Sequence, residues 1–377
     1  MSPYKVSIIT VCLNSAQTIC QTIESVLHQT YRNIEYIIID GGSTDKTQDI
    51  IREYIQLFDG RLHYISEKDN GIYDAMNKGI SHVTGDVIGM INSDDWYEPY
   101  AVERVVKCFE ETDAEAVYGE IWVINQNGER EYHTWDSVFP PHPATFIKRE
   151  IYQQYGMFDL YYRIASDREL LLRLTAGGVR FKRVDMVLAN FRRTGISNTS
   201  KLECAKETYE IDLKYLERCA GILCKDSIEE KFERSQLLYI SQTKPQIIRK
   251  TLEKYCCSSD SVAVFGAGRC GKELMTILEA CGIPVHLFAD NDESKWELEF
   301  HGIKIYSPEI LRDFRGHVIV TVTKFQQDIC RQLQNYGNPA LSWSILSELR
   351  KSAIHSYEFE RETKGYIQRI GKSGPGL

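Results

Sequence analysis

The chain has 377 residues, 43% hydrophobic and 26% charged, which excludes collagen-like and low-complexity classes and, at this length, predicts two or three folded domains. Its 45 basic and 53 acidic residues leave a net charge of −8, arguing against a generally basic nucleic-acid surface and favouring a small-molecule substrate. Eleven cysteines run from Cys12 to Cys330 without a CxxC pair, and the nine histidines do not sit beside them at zinc-ligand spacing. Reduced thiols and a cytoplasmic location are therefore expected. The stretch Val6–Thr22 is interrupted by Ser7, Thr10, Asn14, Ser15, Gln17 and Thr18, so no signal peptide is expected there. No other stretch supplies the roughly twenty apolar residues of a spanning helix. Any membrane contact is then peripheral, at the inner face.

VSIITV (Val6–Val11) reads as a strand, after which Ile19, Ile23, Val26 and Leu27 repeat at helical spacing. IEYIII (Ile34–Ile39) is a second strand. A GGS turn follows, and Ile50, Ile51, Tyr54, Ile55 and Phe58 mark the inner stripe of a helix, with Asp45 suited to its positive end. LHYI (Leu62–Ile65) is a third strand, followed by a loop and a helical stretch. Val87–Ile91 is a fourth, and Pro99 can open the next helix. This alternation implies an α/β fold with a largely parallel sheet covered on both faces. From Asp113 to about Phe139 the short β-rich pieces, a QNG turn at Gln126–Gly128 and the Pro140-Pro141 break suggest hairpins beside that sheet. The expected organisation is a first domain over 1–200, a helical connector over 201–258 carrying Tyr209, Leu213, Leu216, Leu237, Leu238 and Ile240, a second α/β domain over 259–350, and a partly mobile tail over 351–377.

In an open α/β sheet, ligands bind beyond the carboxyl ends of the strands. Asp40 follows the second strand and Asn92-Ser93-Asp94-Asp95 follow the fourth, so two carboxylate-bearing loops emerge on one edge. Adjacent carboxylates there suit Mg²⁺ or Mn²⁺, with water and phosphate oxygens completing the shell. Two other readings stand beside this one: Asp94 and Asp95 as a helix cap or polar turn, and Asp40 as turn chemistry before Asp45.

The blocks VSIITVCLN, YIIIDGGSTD, EKDNGIYDAMNKGI, GDVIGMINSDDWY and ASDRELLLRL fall in this order across about residues 5–175. In that they resemble the inverting family-2 glycosyltransferases of GT-A fold. The resemblance implies that Thr10, Val11, Cys12 and Asn14 cradle the nucleotide base, that Asp40 binds base or ribose, and that Asp69, Gly71 and Asn77 contact ribose or diphosphate. It implies that Asn92, Ser93 and Asp94 face the nucleotide sugar and that Asp94 and Asp95, Asp95 foremost, hold the metal. Many relatives carry an acidic residue where this chain has Asn92. It makes Asp167 the base that takes the acceptor's proton, although Ser166 or Asp167 also fits a helix cap before Leu170, Leu171 and Leu174. His142 resembles an acceptor-side histidine. Lys78 reads as a solvated helix charge. Five basic residues between Arg180 and Arg193 face only Asp185; they are either a solvated surface or an edge on which Arg192 or Arg193 meets the donor diphosphate or a lipid-diphosphate acceptor.

In the second domain Gly266, Gly268 and Gly271 lie between a strand and a helix, and Asp290 ends the next strand nineteen residues past Gly271. That is the context of a dinucleotide loop. It resembles the small Rossmann-like modules appended to sugar-modifying enzymes, and NAD(P) or another nucleotide is the ligand it implies. No Tyr-x-x-x-Lys pair accompanies it over residues 255–377, which favours a binding or assembly module. The expected activity is thus transfer of a sugar from a nucleotide-diphosphate donor, by resemblance a UDP-sugar, to a saccharide or lipid-diphosphate-linked saccharide acceptor in bacterial-type polysaccharide or glycan assembly. The rival is an NAD(P)-dependent or bifunctional sugar-nucleotide enzyme centred on Gly266–Asp290. Donor sugar, acceptor hydroxyl and oligomeric state are not encoded in any of these patterns.

Overall fold

Strands β1 (Val6–Cys12) and β2 (Ile34–Asp40) are buried at every residue, as a strand covered by helices on both faces must be. Their side chains alternate between two cores: Ile8 and Ile38 lie in one, Ile9 and Ile37 in the other. The computed structural model describes residues 4–125, 127–133, 140–193, 200–225, 227–228, 231, 245–255, 262–321, 326–337 and 340–341. The proposed mobile tail, and the connector residues Leu237, Leu238 and Ile240, lie outside these. The chain divides into two compact units, Met1–Lys225 and Asp226–Leu377.

In the first unit, α1 (Ile19–Leu27), α2 (Thr47–Ile55), β3 (Leu62–Ser66), α3 (Ile72–His82) and β4 (Val87–Met90) follow β1 and β2 as alternating elements. Then come β5 (Trp96–Tyr97), α4 (Ala101–Glu111), β6 (Ala116–Ile124), β7 (Arg130–His133), β8 (Thr145–Lys148), α5 (Arg149–Tyr155), α6 (Ser166–Ala176), β9 (Phe181–Arg192) and α7 (Lys201–Tyr215). The sheet runs β3-β2-β1-β4-β8-β6-β9-β5, with β7 paired to β6. Pairing is parallel from β3 to β4. Beyond β4 the sheet is mixed, because β8 runs antiparallel to both β4 and β6 while β6 and β9 are parallel.

This corrects two expectations. The sheet is parallel only in its first half, and the β-rich segment after Asp113 continues the sheet instead of standing beside it. β6, seven of whose nine residues are buried, pairs with β8 on one side and β9 on the other, so both its edges are hydrogen-bonded within the sheet. The basic stretch ending at Arg193 is also a sheet element, the twelve-residue β9.

The second unit contains α8 (Pro245–Tyr255), β10 (Val262–Phe265), α9 (Arg269–Ala280), β11 (Val285–Ala289), β12 (Glu299–Phe300), β13 (Ile303–Tyr306), β14 (His317–Val320), α10 (Gln326–Asn335) and β15 (Ala340–Leu341). Its sheet order is β12-β13-β11-β10-β14-β15, parallel except for β12 on β13.

Glu35, at the buried start of β2, shows how polar groups are tolerated here. Burial alone would raise its carboxyl. Hydrogen bonds from Lys5 Nζ at 2.6 Å, Ser7 Oγ at 2.5 Å and the Thr84 amide at 2.5 Å instead hold it down to about 2. A carboxyl lower in the folded state than its unfolded value of roughly 4.3 stabilises the fold above that pH and loses the contribution as pH falls toward 2. Urea unfolding between pH 5 and pH 2 is therefore expected to show declining stability in the native chain and a shallower decline in Glu35→Gln.

Candidate active site

The carboxyl ends of β1, β2, β3 and β4 deliver four loops to one edge of the first unit, and side chains from successive loops bond to one another. Asn14, in a left-handed conformation (φ 52°), accepts from the Thr44 amide at 2.9 Å, and its own amide donates to Ser43 Oγ at 2.8 Å. Ser15 Oγ meets Ser93 Oγ at 2.8 Å. Thr22 on α1 donates to the Asp95 carbonyl at 2.7 Å. The β1, β2 and β4 loops are therefore one hydrogen-bonded assembly.

Asp40 is completely buried at the end of β2. Its carboxylate accepts from the Ser43 amide at 3.1 Å, from the Ser43 hydroxyl, and from Ser66 Oγ at 2.6 Å. It thereby ties the β2 and β3 ends together, and it is not the cap of α2, whose first turn is bonded by Asp45 through the Thr47 amide at 3.0 Å. Cys12 lies across from Asp40 in register, and burial followed by the Asp40 charge pushes its thiol far up, so it stays neutral. Thr10 and Val11 are buried in the sheet, Thr10 accepting from Tyr36 OH at 3.0 Å, and so form the floor beneath the loops. Asp69 stands close to Gly41, where an added Cβ would lie 2.3 Å from Asp69 Oδ2. Its other oxygen accepts from the Gly71 amide at 3.0 Å. Gly71 itself has φ 123°, a conformation L side chains rarely adopt. Asn77 is turned away from this edge: its amide group pairs with both backbone groups of Phe158, at 2.9 and 3.0 Å. Lys78 closes the loop from behind, donating to the Lys68 carbonyl at 2.8 Å and pairing with Glu67 at 2.9 Å.

The two carboxylates after β4 have different surroundings. Asp95 is buried; Oδ1 accepts from the Arg192 amide at 2.8 Å, while Oδ2 has no hydrogen-bond partner among the described residues. Burial first and the Asp94 charge second push it well above the ordinary carboxylate range. Asp94 is partly exposed. Neither caps α4, whose N-cap is Tyr100. Arg192 is held in the same motif: its guanidinium donates to the Asp94 carbonyl and to Gln21 Oε1 at 2.5 Å, and it stacks 4.5 Å from the Trp96 ring. Two other basic residues of this stretch are paired with acids the sequence pattern did not reveal: Arg183 on β9 with Glu120, and Arg180, just before β9, with Asp113 and Glu115 at 3.2 Å each. Among the described residues, no group of three or more acidic, histidine or cysteine side chains converges as a metal centre. The donor set fits a cation that keeps most of its shell in water and phosphate oxygens, bound through the accessible Asp94.

Asp167 lies in the first turn of α6. Its Oδ1 accepts from the Arg168 amide at 2.9 Å and from Tyr73 OH at 3.0 Å. Tyr73 is on α3, directly after the Gly71 loop, so the helix following the third strand reaches the base candidate. Burial, then the Asp167 charge, raise the Tyr73 phenol well above its ordinary range, which keeps it a proton donor. His142 packs edge-on against Phe158, centroids 6.0 Å apart. Burial lowers its imidazole, partly opposed by Asp167, so it is neutral at pH 7.

Sequence reasoning missed the support of this turn. The N-cap of α6 is Ala165, without a side-chain cap. The Glu207 carboxylate on α7 instead accepts from the amides of Arg163, Ile164 and Ala165, each at 2.9 Å. Asp212 grips Arg168 through two bonds at 2.5 and 2.8 Å, and Tyr215 donates to Glu169 at 2.7 Å. The helix assigned to a connector is thus part of the first unit and braces the Asp167 turn. No local pattern could have announced it, because the partners lie over forty residues away.

In the second unit Gly266 takes φ 105°, and a Cβ on Gly271 would lie 1.9 Å from the Gly266 carbonyl oxygen, so both glycines are required by the turn and the close helix approach. Gly268 is the N-cap of α9. Asp290 is occupied by its own chain: it accepts from the Ala267 amide at 2.7 Å, the Asp292 amide at 2.9 Å and Lys295 Nζ at 3.1 Å.

Residues 7–170 match the family described as Glycosyl transferase family 2, and residues 258–340 match one described as C2185-like, N-terminal. An uncharacterized glycosyltransferase of Mycobacterium tuberculosis is 31% identical over 210 residues, covering 51% of this chain and 77% of the relative. The chain belongs to glycosyl transferase family 2. This glycosyltransferase is also 30% identical over 207 residues to a PGL/p-HBAD biosynthesis glycosyltransferase of Mycobacterium bovis, covering 51% of this chain and 79% of that one. Its GT-A fold is shared with S. aureus TarS 1-349, solved in complex with UDP-GlcNAc, at TM-score 0.51 and 13% identity over 94% of this chain and 92% of that chain. No described helix is long and apolar enough to cross a membrane.

Glu207 accepts from three backbone amides, one exposed and two partly buried, and losing such charge-assisted contacts costs on the order of 1–3 kcal/mol. Glu207→Ala is expected to lower the urea-unfolding stability of this glycosyltransferase by about that amount, with Glu207→Gln intermediate.

Proposed function

We propose that this glycosyltransferase moves a sugar, with inversion, from a nucleoside-diphosphate donor, a UDP-sugar by preference, to a hydroxyl of a saccharide or lipid-diphosphate-linked saccharide. The observation that carries the reading is Asp167. One carboxylate oxygen is immobilised by Tyr73 and the Arg168 amide, which leaves the other to take a proton. In-line attack forms the bond between acceptor oxygen and anomeric carbon as the bond to the diphosphate breaks, and the acceptor's proton passes to Asp167. His142, held neutral by its burial, suits an acceptor-side contact.

Asn14, Asp69, Gly71, Asn92 and Ser93 line the donor end, with Asp40 beneath them. Mn²⁺ or Mg²⁺ bound at Asp94 would offset charge on the departing diphosphate. The partial exposure of Asp94 and the burial of Asp95 favour Asp94 as the ligand and Asp95 as its internal anchor, a reversal of the order expected from resemblance. Arg192 supports this loop rather than the diphosphate directly. Asn77 braces the Phe158 loop instead of touching the donor.

Met157, Leu160 and Tyr161 are exposed on the loop leading to α6, an apolar surface suited to the lipid portion of an acceptor and to peripheral contact at the inner membrane face. The described cysteines are all free thiols, consistent with a reducing compartment. The second unit we read as a Rossmann-like binding or assembly module. Its glycine loop borders a cleft of about 380 Å³ that includes Arg269, Lys272 and Phe300. The engagement of Asp290 with its own loop argues against a ribose-binding role, and with it against the NAD(P)-enzyme alternative.

Incubation with UDP-glucose, UDP-galactose, UDP-N-acetylglucosamine and GDP-mannose, with and without Mn²⁺, should show release of nucleoside diphosphate from one class of donor. Asp167→Asn is expected to lower turnover by at least roughly a hundredfold while UDP binding measured by calorimetry persists; normal turnover in that variant removes the base assignment. Asp94→Ala should abolish the Mn²⁺-dependent part of UDP binding. Retention of that part in Asp94→Ala and its loss in Asp95→Asn would restore Asp95 as the ligand.

A further inference from the structure

The Tyr73 hydroxyl lies 3.0 Å from Asp167 Oδ1 and 2.8 Å from the Ile164 carbonyl oxygen. A phenol carries one proton and both neighbours accept, so the hydroxyl fully serves one of them at a time. While Asp167 is ionised, the carboxylate is the stronger acceptor, because a hydrogen bond to a charged group is shorter and roughly twice as strong as a neutral one. Once Asp167 has taken a proton, that advantage disappears and the Ile164 carbonyl becomes the better partner. Both oxygens sit within hydrogen-bond distance of the same hydroxyl, so the exchange needs rotation of one O–H bond and no movement of the ring.

The surroundings prevent other movement. The ring is buried, tilted against Phe158 at 5.2 Å between centroids, and Phe158 is itself pinned to Asn77 on the same helix as Tyr73. Ile164 is gripped from the opposite side, its amide donating to Glu207.

We propose that Tyr73 is a positioning residue for the base. Its hydroxyl holds Asp167 Oδ1 while the carboxylate awaits the acceptor, so that Oδ2 faces the transferring proton, and it turns to the Ile164 carbonyl when that proton arrives. Tyr73 keeps its own proton throughout; the bond that breaks is the acceptor O–H and the bond that forms is Oδ2–H. This rests on the reading of Asp167 as base.

Tyr73→Phe retains the ring and removes only the hydroxyl. With the same four nucleotide sugars and Mn²⁺, the variant should release nucleoside diphosphate with kcat reduced roughly tenfold and donor KM unchanged, a split that general loosening of the fold does not produce. If Asp167→Asn is inactive and Tyr73→Phe turns over as the native chain does, the positioning role is wrong and the base assignment survives. If Asp167→Asn turns over normally, the base assignment itself fails. A second measurement needs no activity: urea-midpoint shifts for Tyr73→Phe, Asp167→Asn and the double variant should be non-additive, as for directly bonded pairs. Additive shifts would overturn the proposal.

Discussion

A strand buried on both faces has to release its polar residues where it leaves the sheet, and β1, β2, β3 and β4 all leave at the same edge. That constraint gathers the functional end of the first unit. Asp40, Ser93 and Asp95 remain buried, and the loops bond to one another and to β9: Asp40 through Ser43 and Ser66, Ser15 through Ser93, and Asp95 Oδ1 through the Arg192 amide. Residues that resemblance assigns to ligand contact are in several cases the internal frame on which more exposed neighbours are mounted. Asp94 on Asp95 is the clearest pair.

The same logic holds the second half of the site. Asp167 comes from a helix whose preceding amides have no cap of their own, and α7 supplies a carboxylate across the gap. Tyr73 joins α3 to that turn. The Gly71 loop is thereby linked along α3 and through Tyr73 to the Asp167 turn, which Glu207 holds from α7. The in-line transfer proposed for this glycosyltransferase would use both halves at once.

The parallel half of the sheet was legible because VSIITV and IEYIII are short runs rich in β-branched residues, and loops after such strands have a known place in an open sheet. Of the mixed half, the β6–β7 hairpin was legible, while the places of β6, β8 and β9 in the sheet were not. β5 is two residues long, and β9 opens with Lys182, Arg183 and Asp185 among its apolar residues, so its identity depends on pairing with β6 rather than on its own composition. Asp40, Asp94, Asp95 and Asp167 could be picked out as acidic residues beside strand and helix ends. Which carboxylate faces solvent could not, since Asp94 and Asp95 differ only in tertiary surroundings. Arg192 looked like a free cation until its guanidinium proved to bond the Asp94 carbonyl, and Glu207 carried no local mark at all. In the second unit the glycine pattern was read correctly as a strand-to-helix loop, while the role of Asp290 depended on backbone amides that only the folded loop presents.

The central claim is that one edge of the first unit holds a metal-bound diphosphate at the Asp94 loop. A crystal structure of the full chain grown with UDP and Mn²⁺ tests it most directly. The account predicts anomalous density for Mn²⁺ against an Asp94 carboxylate oxygen and the diphosphate, with the uracil over the Cys12–Asn14 end of β1. Density for UDP at the Gly266–Gly271 loop instead, or Mn²⁺ bound away from Asp94, would contradict it.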